Sequence, residues 1–91
     1  MSQHTILIVD DEKIQRESIA GYLNKKGYYT LLSSNADEAI RLISDNTIEV
    51  LLTDFKMPAK TGLELLEEVK RLNPEIEVII MTAFGKIEDA V

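Results

Sequence analysis

Three aspartates in this chain stand directly after short apolar runs. Asp10 and Asp11 follow residues 5–9, and Asp54 follows residues 49–53. Carboxylate oxygens with no histidine or cysteine nearby favour Mg²⁺, which binds one or two carboxylates together with phosphate oxygens and keeps several waters. A carboxylate beside such an ion can also attack phosphorus and form an aspartyl phosphate. If the fold brings the three aspartates together, they predict a magnesium site at which one carboxylate accepts a phosphoryl group.

The elements that must position these aspartates follow from the periodicity of the apolar residues. Short apolar runs predict four strands, over residues 5–9, 28–32, 49–53 and 77–81. Helical spacing predicts helices over residues 13–26, 36–43 and 61–73, and the start of a fourth over residues 86–91. The apolar stripe of the first helix consists of Ile14, Ile19, Tyr22 and Leu23. Capping-box spacing links two pairs of residues, Asn35 with Glu38 and Thr61 with Glu64.

Alternation of strands and helices predicts parallel strands joined by right-handed crossovers. The first and third strands are almost continuously apolar and belong in the centre, whereas the mixed second strand suits an edge. The predicted fold is therefore α/β, a flavodoxin-like doubly wound sheet of order 2-1-3-4. The first helix should cover one face, and the second and third the other. The crevice between strands one and three collects Asp10, Asp11 and Asp54. Thr82 ends strand four on the same rim, where its hydroxyl can donate to a phosphoryl oxygen.

Composition narrows the class of protein. The 91 residues suffice for one domain, and 45% apolar with 29% charged residues is typical of a soluble globular protein. The net charge of −6 disfavours nucleic-acid binding by this segment. There is no cysteine, no apolar run long enough to span a bilayer and no secretory signal. These features predict a cytoplasmic location without membrane contact.

Three ordered motifs resemble those of bacterial response-regulator receiver domains (CheY-like). Residues 8–12, IVDDE, resemble the acidic opening motif of that family. Residues 54–62, DFKMPAKTG, resemble its D-x-x-M-P-x-x-x-G phosphoacceptor loop, and residues 81–85, MTAFG, resemble the hydroxyl-bearing end of its fourth strand. The final residues, 83–91, are similar to receivers of NtrC-like transcription activators.

The resemblance implies a two-component signalling function for this chain. Asp54 would accept a phosphoryl group from a sensor histidine kinase, and Asp11 and Asp54 would bind Mg²⁺ with the backbone carbonyl of Lys56. Asp10 would assist directly or through water. Thr82 would move toward the phosphoryl group and switch the surface that controls an attached or partner output domain, expected to be a DNA-binding activator. The chain itself would not be an enzyme, beyond self-phosphorylation and self-dephosphorylation.

One departure from the family concerns the carboxyl-terminal part. The family's fifth strand, its lysine, its aromatic switch residue and its last helix would follow Val91, so residues 1–91 read as an incomplete receiver domain. The absence of that lysine would weaken phosphotransfer. The fourth strand would then have a free edge, which favours a homodimer or an exchange of strands between copies.

Structural and functional alternatives remain at this point. Asp10 and Asp11 could cap the first helix, Asp54 could be a turn residue, and Thr82 could cap a turn. The chain could also be a pseudo-receiver or oligomerisation module that does not become phosphorylated. A magnesium-dependent phosphohydrolase with an aspartyl nucleophile is a further alternative, although Lys56 stands where such enzymes usually have a second acid.

Overall fold

Strands and helices alternate along the chain in this computed structural model, which describes residues 4–81. The strands are β1 (Thr5–Val9), β2 (Tyr29–Ser33), β3 (Val50–Asp54) and β4 (Glu77–Met81). The helices are α1 (Lys13–Lys25), α2 (Ala36–Asp45) and α3 (Gly62–Leu72). These bounds agree with the predicted elements to within two residues at each end. The helix predicted over residues 86–91 lies outside the described residues, and so does Thr82.

The sheet has the predicted order, β2-β1-β3-β4, and all of its strands are parallel. Val9 at the end of β1 pairs with Ser33 of β2 and with Thr53 of β3. Asp54, the last residue of β3, pairs with Met81 of β4. The carboxyl ends of the strands therefore lie at one edge of the sheet. From β1 the chain first runs to β2 on one side and then to β3 on the other, and this change of side opens a crevice between β1 and β3.

The two faces of the sheet are covered as predicted. Because side chains alternate along a strand, Leu7 and Val9 of β1 point to one face and Ile6 and Ile8 to the other. The first face packs on α2 and α3 through buried residues that include Ala39, Ile43, Leu65 and Val69. The second face packs on α1 through Ala20, with Ile19 and Leu23 beside it. The central strands β1 and β3 are thus packed between helices on both faces of the sheet.

The predicted apolar stripe of α1 is partly wrong. Ile19 and Leu23 pack on the sheet, but Ile14 is 85% exposed and Tyr22 is 62% exposed. Five residues of an α-helix turn through about 500°, which places Ile14 about 140° around the axis from Ile19 and away from the sheet. None of the helices in residues 4–81 is long and apolar enough to cross a membrane.

The capping box predicted for α3 is present, whereas the one predicted for α2 is only half formed. The backbone N–H of Glu64 donates to the Thr61 hydroxyl at 3.2 Å, and the Thr61 N–H donates to the Glu64 carboxylate at 2.8 Å, which is a complete capping box. At α2 the Asn35 side chain accepts from the N–H of Glu38 at 2.8 Å. The Glu38 carboxylate, however, accepts from Ser34 rather than from Asn35. The predicted reciprocal pair at α2 is therefore wrong in its second half.

The outer edge of β4 is the place where the sequence predicts pairing with a second copy. Within residues 4–81, β4 pairs with β3 and with no other strand. Ile79 on β4 is 53% exposed. A homodimer or an exchange of strands stays a prediction.

Candidate metal and phosphoacceptor site

The structure brings Asp10, Asp11 and Asp54 together at the crevice between β1 and β3. One carboxylate oxygen from each of the three lies within 4.8 Å of the others. Asp10 is fully buried, Asp11 is exposed and Asp54 is half-buried, so the cluster opens to solvent on one side. Two unit charges about 5 Å apart repel each other by roughly 3 kcal/mol at an effective dielectric constant of 20. A cation between these carboxylates would offset that repulsion.

The two carboxylate oxygens of Asp10 have different surroundings. Its Oδ1 accepts a hydrogen bond from the backbone N–H of Glu12 at 2.9 Å, which turns the chain into α1. Its Oδ2 is buried and has no hydrogen-bond partner. A buried carboxylate oxygen without a partner is costly, and a metal ion is one of the few groups that can satisfy it. The alternative that Asp10 caps α1 is wrong, because the N-cap of α1 is Glu12 and no side chain accepts a capping hydrogen bond there. The bond to Oδ1 stabilises the turn before the helix and leaves Oδ2 for the site.

The backbone of Asp10 is held by hydrogen bonds to neighbouring elements. The N–H of Asp10 donates to the carbonyl of Ser33 at 3.1 Å, which extends the pairing between β1 and β2 by one residue. The Asp10 carbonyl accepts from the guanidinium of Arg16 at 2.7 Å. Sequence reasoning missed Arg16, whose position just inside the first turn of α1 was the signal that could have found it. The main chain at Asp10 is therefore fixed at both its N–H and its carbonyl.

The surroundings of Asp54 change the pKa of its carboxyl group. Partial burial raises the pKa of the Asp54 carboxyl, and the negative charge of Asp10 and, to a smaller extent, that of Asp11 raise it further. The adjacent backbone N–H groups of Phe55 and Lys56 favour the ionised carboxylate and lower the pKa in opposition. The net result is a pKa above the ordinary value of 3.8. The ionised form of Asp54 is therefore disfavoured without a cation.

This raised pKa predicts a pH dependence of stability in the absence of divalent cations. Because the folded chain holds the Asp54 proton more tightly than the unfolded chain, the free energy of unfolding should fall as pH rises from about 3.8 through the folded pKa. Asp54→Asn should remove this fall and raise the free energy of unfolding at pH 7, because it removes the charge that burial and Asp10 disfavour. Urea denaturation across a pH series in EDTA measures both effects. Glu67→Gln, on an exposed turn of α3, is the control. Equal pH slopes for Asp54→Asn and the unmodified protein would contradict the prediction.

The loop from Phe55 to Thr61 forms one wall of the site. Met57 is buried against the core under α2 and α3, which anchors the loop. Lys60 is paired with Glu68 of α3 at 2.6 Å, and hydrogen bonding to that carboxylate raises the pKa of Lys60. A cleft of about 340 Å³ lies between Asp11 and this loop, lined also by Lys56, Met57, Pro58 and Thr61. The cleft therefore borders the carboxylate cluster on the side of Asp11.

Ala59 has an unusual backbone conformation within this loop. Its φ of 72° lies in the left-handed region, where a Cβ atom costs about 1–2 kcal/mol. Ala59→Gly should therefore raise the free energy of unfolding by about 0.5–1 kcal/mol, after the larger entropy of the unfolded glycine is subtracted. Ala59→Val should lower it. Urea denaturation at pH 7 gives the comparison, and a glycine variant less stable than the unmodified protein would count against this backbone strain.

The predicted roles of two further site residues, Lys56 and Thr82, stay predictions. Lys56 follows β3 beside the cluster, but a ligand role for its backbone carbonyl stays a prediction. Thr82 lies outside the described residues, so its switch role also stays a prediction.

Gly62 was noticed in the sequence only as part of the loop motif. The structure shows in addition that Gly62 lies against the backbone of Asp54.

A parallel doubly wound sheet with an acidic crevice at its switch point defines a class of proteins that bind ligands or cations beyond the carboxyl ends of their strands. Residues 6–91 match the response regulator receiver domain as a family. The match covers nearly the whole chain and all three motifs. The chain belongs to the response regulator receiver domain family.

Curated relatives from several bacteria agree with this assignment. Sporulation initiation phosphotransferase F of Bacillus subtilis is 35% identical over 88 residues, which are 97% of this chain and 71% of that protein. Response regulator RR06 of Streptococcus pneumoniae is 35% identical over 80 residues, which are 88% of this chain and 36% of that protein. The transcriptional regulatory protein ZraR of Escherichia coli is 34% identical over 86 residues, 94% of this chain and 20% of that protein. The chain therefore spans about a third of RR06 and a fifth of ZraR.

Solved structures confirm the CheY-like fold. A response regulator receiver domain protein from Clostridium thermocellum has a TM-score of 0.85 and 35% identity, over 96% of this chain and 71% of that one. Response regulator TrrA of Thermotoga maritima, in complex with Mg(2+)-BeF, has a TM-score of 0.85 and 30% identity, over 89% of this chain and 70% of that one. The structure of TrrA in complex with histidine kinase ThkA has a TM-score of 0.86 and 28% identity, over 93% of this chain and 73% of that one.

Proposed function

We propose that Asp54 of this receiver domain accepts a phosphoryl group from a sensor histidine kinase with the assistance of Mg²⁺. The observation that carries the proposal is the convergence of three carboxylates within 4.8 Å at the crevice. Only Asp54 among them is both half-buried and flanked by the loop that lines the cleft. The relatives named as response regulators support the same role.

The donor set fits a magnesium ion. Asp10, Asp11 and Asp54 supply hard carboxylate oxygens, and the partnerless Asp10 Oδ2 is a buried acceptor beside them. We propose Asp11 and Asp54 as ligands together with the backbone carbonyl of Lys56, and Asp10 as a ligand directly or through water. Bound Mg²⁺ supplies Lewis-acid neutralisation of charge on the phosphoryl oxygens. The complex of TrrA with Mg(2+)-BeF supports this choice of metal.

The transfer itself needs little beyond positioning. One Asp54 carboxylate oxygen attacks phosphorus, a new oxygen–phosphorus bond forms, and the phosphorus–nitrogen bond of a phosphohistidine breaks, so that the imidazole leaves with the electron pair and takes up a proton. The N–H of Phe55 donates to the carbonyl of Met81 and the carbonyl of Phe55 accepts from the N–H of Gly62, so the main chain from which the Asp54 carboxylate branches is held in place during attack. The hydroxyl of Thr82 is proposed to donate to the phosphoryl group after transfer and to transmit the switch.

The partners follow from the same proposal. A histidine kinase as phosphodonor is supported by the complex of TrrA with ThkA. An attached or partner output domain that regulates transcription is supported by the relative named ZraR. The proposed location is the cytoplasm, where such a kinase would meet this domain, and the acidic segment is not proposed to bind nucleic acid or membrane.

Acetyl phosphate tests this function without requiring the kinase. The protein is incubated with acetyl phosphate and either Mg²⁺ or EDTA, and its intact mass is measured. A gain of one phosphoryl group only with Mg²⁺ supports the receiver function. Continuous release of phosphate with turnover would indicate a phosphohydrolase instead. No adduct and no response to magnesium would leave a pseudo-receiver or oligomerisation module.

A further inference from the structure

Gly62, the first residue of α3, lies against the backbone of the proposed phosphoacceptor. It is buried, and a Cβ atom added to it would overlap the carbonyl oxygen of Asp54. The same Cβ would lie 3.1 Å from the Cα of Phe55 and 3.2 Å from the carbonyl carbon of Asp54. All of these neighbours are main-chain atoms, so no flexible side chain could give way.

The backbone conformation of Gly62 does not explain the glycine. Among the described residues the glycine with a positive φ is Gly27, whereas Gly62 has a φ that an alanine adopts readily. At a helical position alanine would normally be the more stable residue by about 1 kcal/mol. The close approach to Asp54 and Phe55 is therefore what excludes a side chain at position 62.

The segment that Gly62 contacts is held from both sides. The N–H of Phe55 donates to the carbonyl of Met81 at 2.8 Å, and the carbonyl of Phe55 accepts from the N–H of Gly62 at 2.8 Å. The carbonyl of Asp54 also accepts from the hydroxyl of Thr53 at 3.0 Å. Because the carboxylate of Asp54 branches from this same segment, any shift of the main chain moves it relative to Asp10 and Asp11.

Helix α3 cannot easily retreat from an added methyl group. Its first turn is fixed by the capping box of Thr61 and Glu64. Leu65 and Val69 are fully buried in the core, and sliding the helix outward would open that core. The easier relief is displacement of the Asp54–Phe55 segment.

We propose that Gly62 is a positioning residue for the carboxylate cluster. The missing side chain lets α3 begin directly against the Asp54 carbonyl, and this contact sets the distance of the Asp54 carboxylate from Asp10 and Asp11 at which the three can share one cation. The inference deepens the proposed function, and its consequence for metal binding rests on that function.

The test compares Gly62→Ala with Gly21→Ala. Gly21 lies within α1 with nothing within 4 Å of an added Cβ, so it is a matched glycine-to-alanine control. In calorimetric titrations of the folded proteins, Gly62→Ala should bind Mg²⁺ about 10-fold or more weakly, and Gly21→Ala should bind it as the unmodified protein does. If the unmodified protein binds Mg²⁺ and Gly62→Ala binds it with equal affinity, the proposal is overturned, because a purely structural glycine would change stability alone.

Two further measurements make every outcome decisive. The double variant Gly21→Ala/Gly62→Ala gains helix stability from the first substitution, and if it still fails to fold, Gly62 serves the fold rather than the site and the proposal is wrong. A crystal structure of the folded Gly62→Ala variant should show the Asp54 carboxylate displaced from Asp10 and Asp11. If the displacement is found but the unmodified protein binds no Mg²⁺, the proposed function fails while the positioning role stands. An unchanged carboxylate arrangement would overturn the positioning role alone.

Discussion

Asp54→Ala should abolish phosphorylation of the domain by acetyl phosphate. Alanine has no oxygen that can attack phosphorus, and the neighbouring acids cannot take over. Asp10 is fully buried and its Oδ1 accepts from the N–H of Glu12, while Asp11 is proposed to be engaged as a ligand of Mg²⁺. The Mg²⁺-dependent gain of one phosphoryl group in the intact mass should therefore be lost completely.

The control for this result is another aspartate outside the site. Asp45→Ala, at the exposed end of α2, should be phosphorylated as fully as the unmodified protein. Asp54→Ala removes a charge from a repulsive cluster, so it should remain folded, and circular dichroism can verify that loss of the adduct is not loss of structure. A Mg²⁺-dependent adduct that persists in folded Asp54→Ala would show that another residue is the acceptor.

Mg²⁺ should stabilise the folded domain, and Asp11→Asn should remove that stabilisation. A cation that binds only the folded chain raises the free energy of unfolding by about 2.7 kcal/mol when its concentration is 100 times the dissociation constant. The reason in this structure is that the unfolded chain disperses carboxylates that the folded chain holds within 4.8 Å. Thermal unfolding at increasing Mg²⁺ concentration measures the effect as a rising midpoint.

Asp11→Asn separates metal binding from general stability. In EDTA this variant should be at least as stable as the unmodified protein, because it removes one of three like charges. In Mg²⁺ its midpoint should no longer rise, whereas Glu67→Gln on α3 should respond as the unmodified protein does. A midpoint of the unmodified protein that ignores millimolar Mg²⁺ would refute the metal assignment.

Much of the fold could be predicted because the informative residues act locally. The apolar run of β1 ends abruptly at Asp10, and that of β3 ends at Asp54, so the positions of the acids on strand ends could be seen in the sequence. The contrast between a uniformly apolar β1 and a mixed β2 was enough to place one in the centre and the other at the edge. The convergence of the acids then followed from parallel order alone.

The remaining features depend on tertiary contacts that spacing does not encode. Ile14 has an apolar side chain of the kind found in cores, but its angular position on α1 turns it to solvent. The Glu38 carboxylate has two backbone donors within reach, and the turn geometry selects Ser34. The buried, partnerless Oδ2 of Asp10 and the contact of Gly62 with Asp54 exist only once three elements have been packed together.

The most direct measurement is a crystal structure of the domain soaked with Mn²⁺, which takes magnesium sites and is located by its anomalous scattering. The account predicts one ion in the crevice between β1 and β3, with carboxylate oxygens of Asp11 and Asp54 as ligands at about 2.0–2.2 Å. One Asp54 oxygen should remain free on the side of the cleft. An ion bound elsewhere, or a crevice without anomalous signal at saturating Mn²⁺, would contradict it.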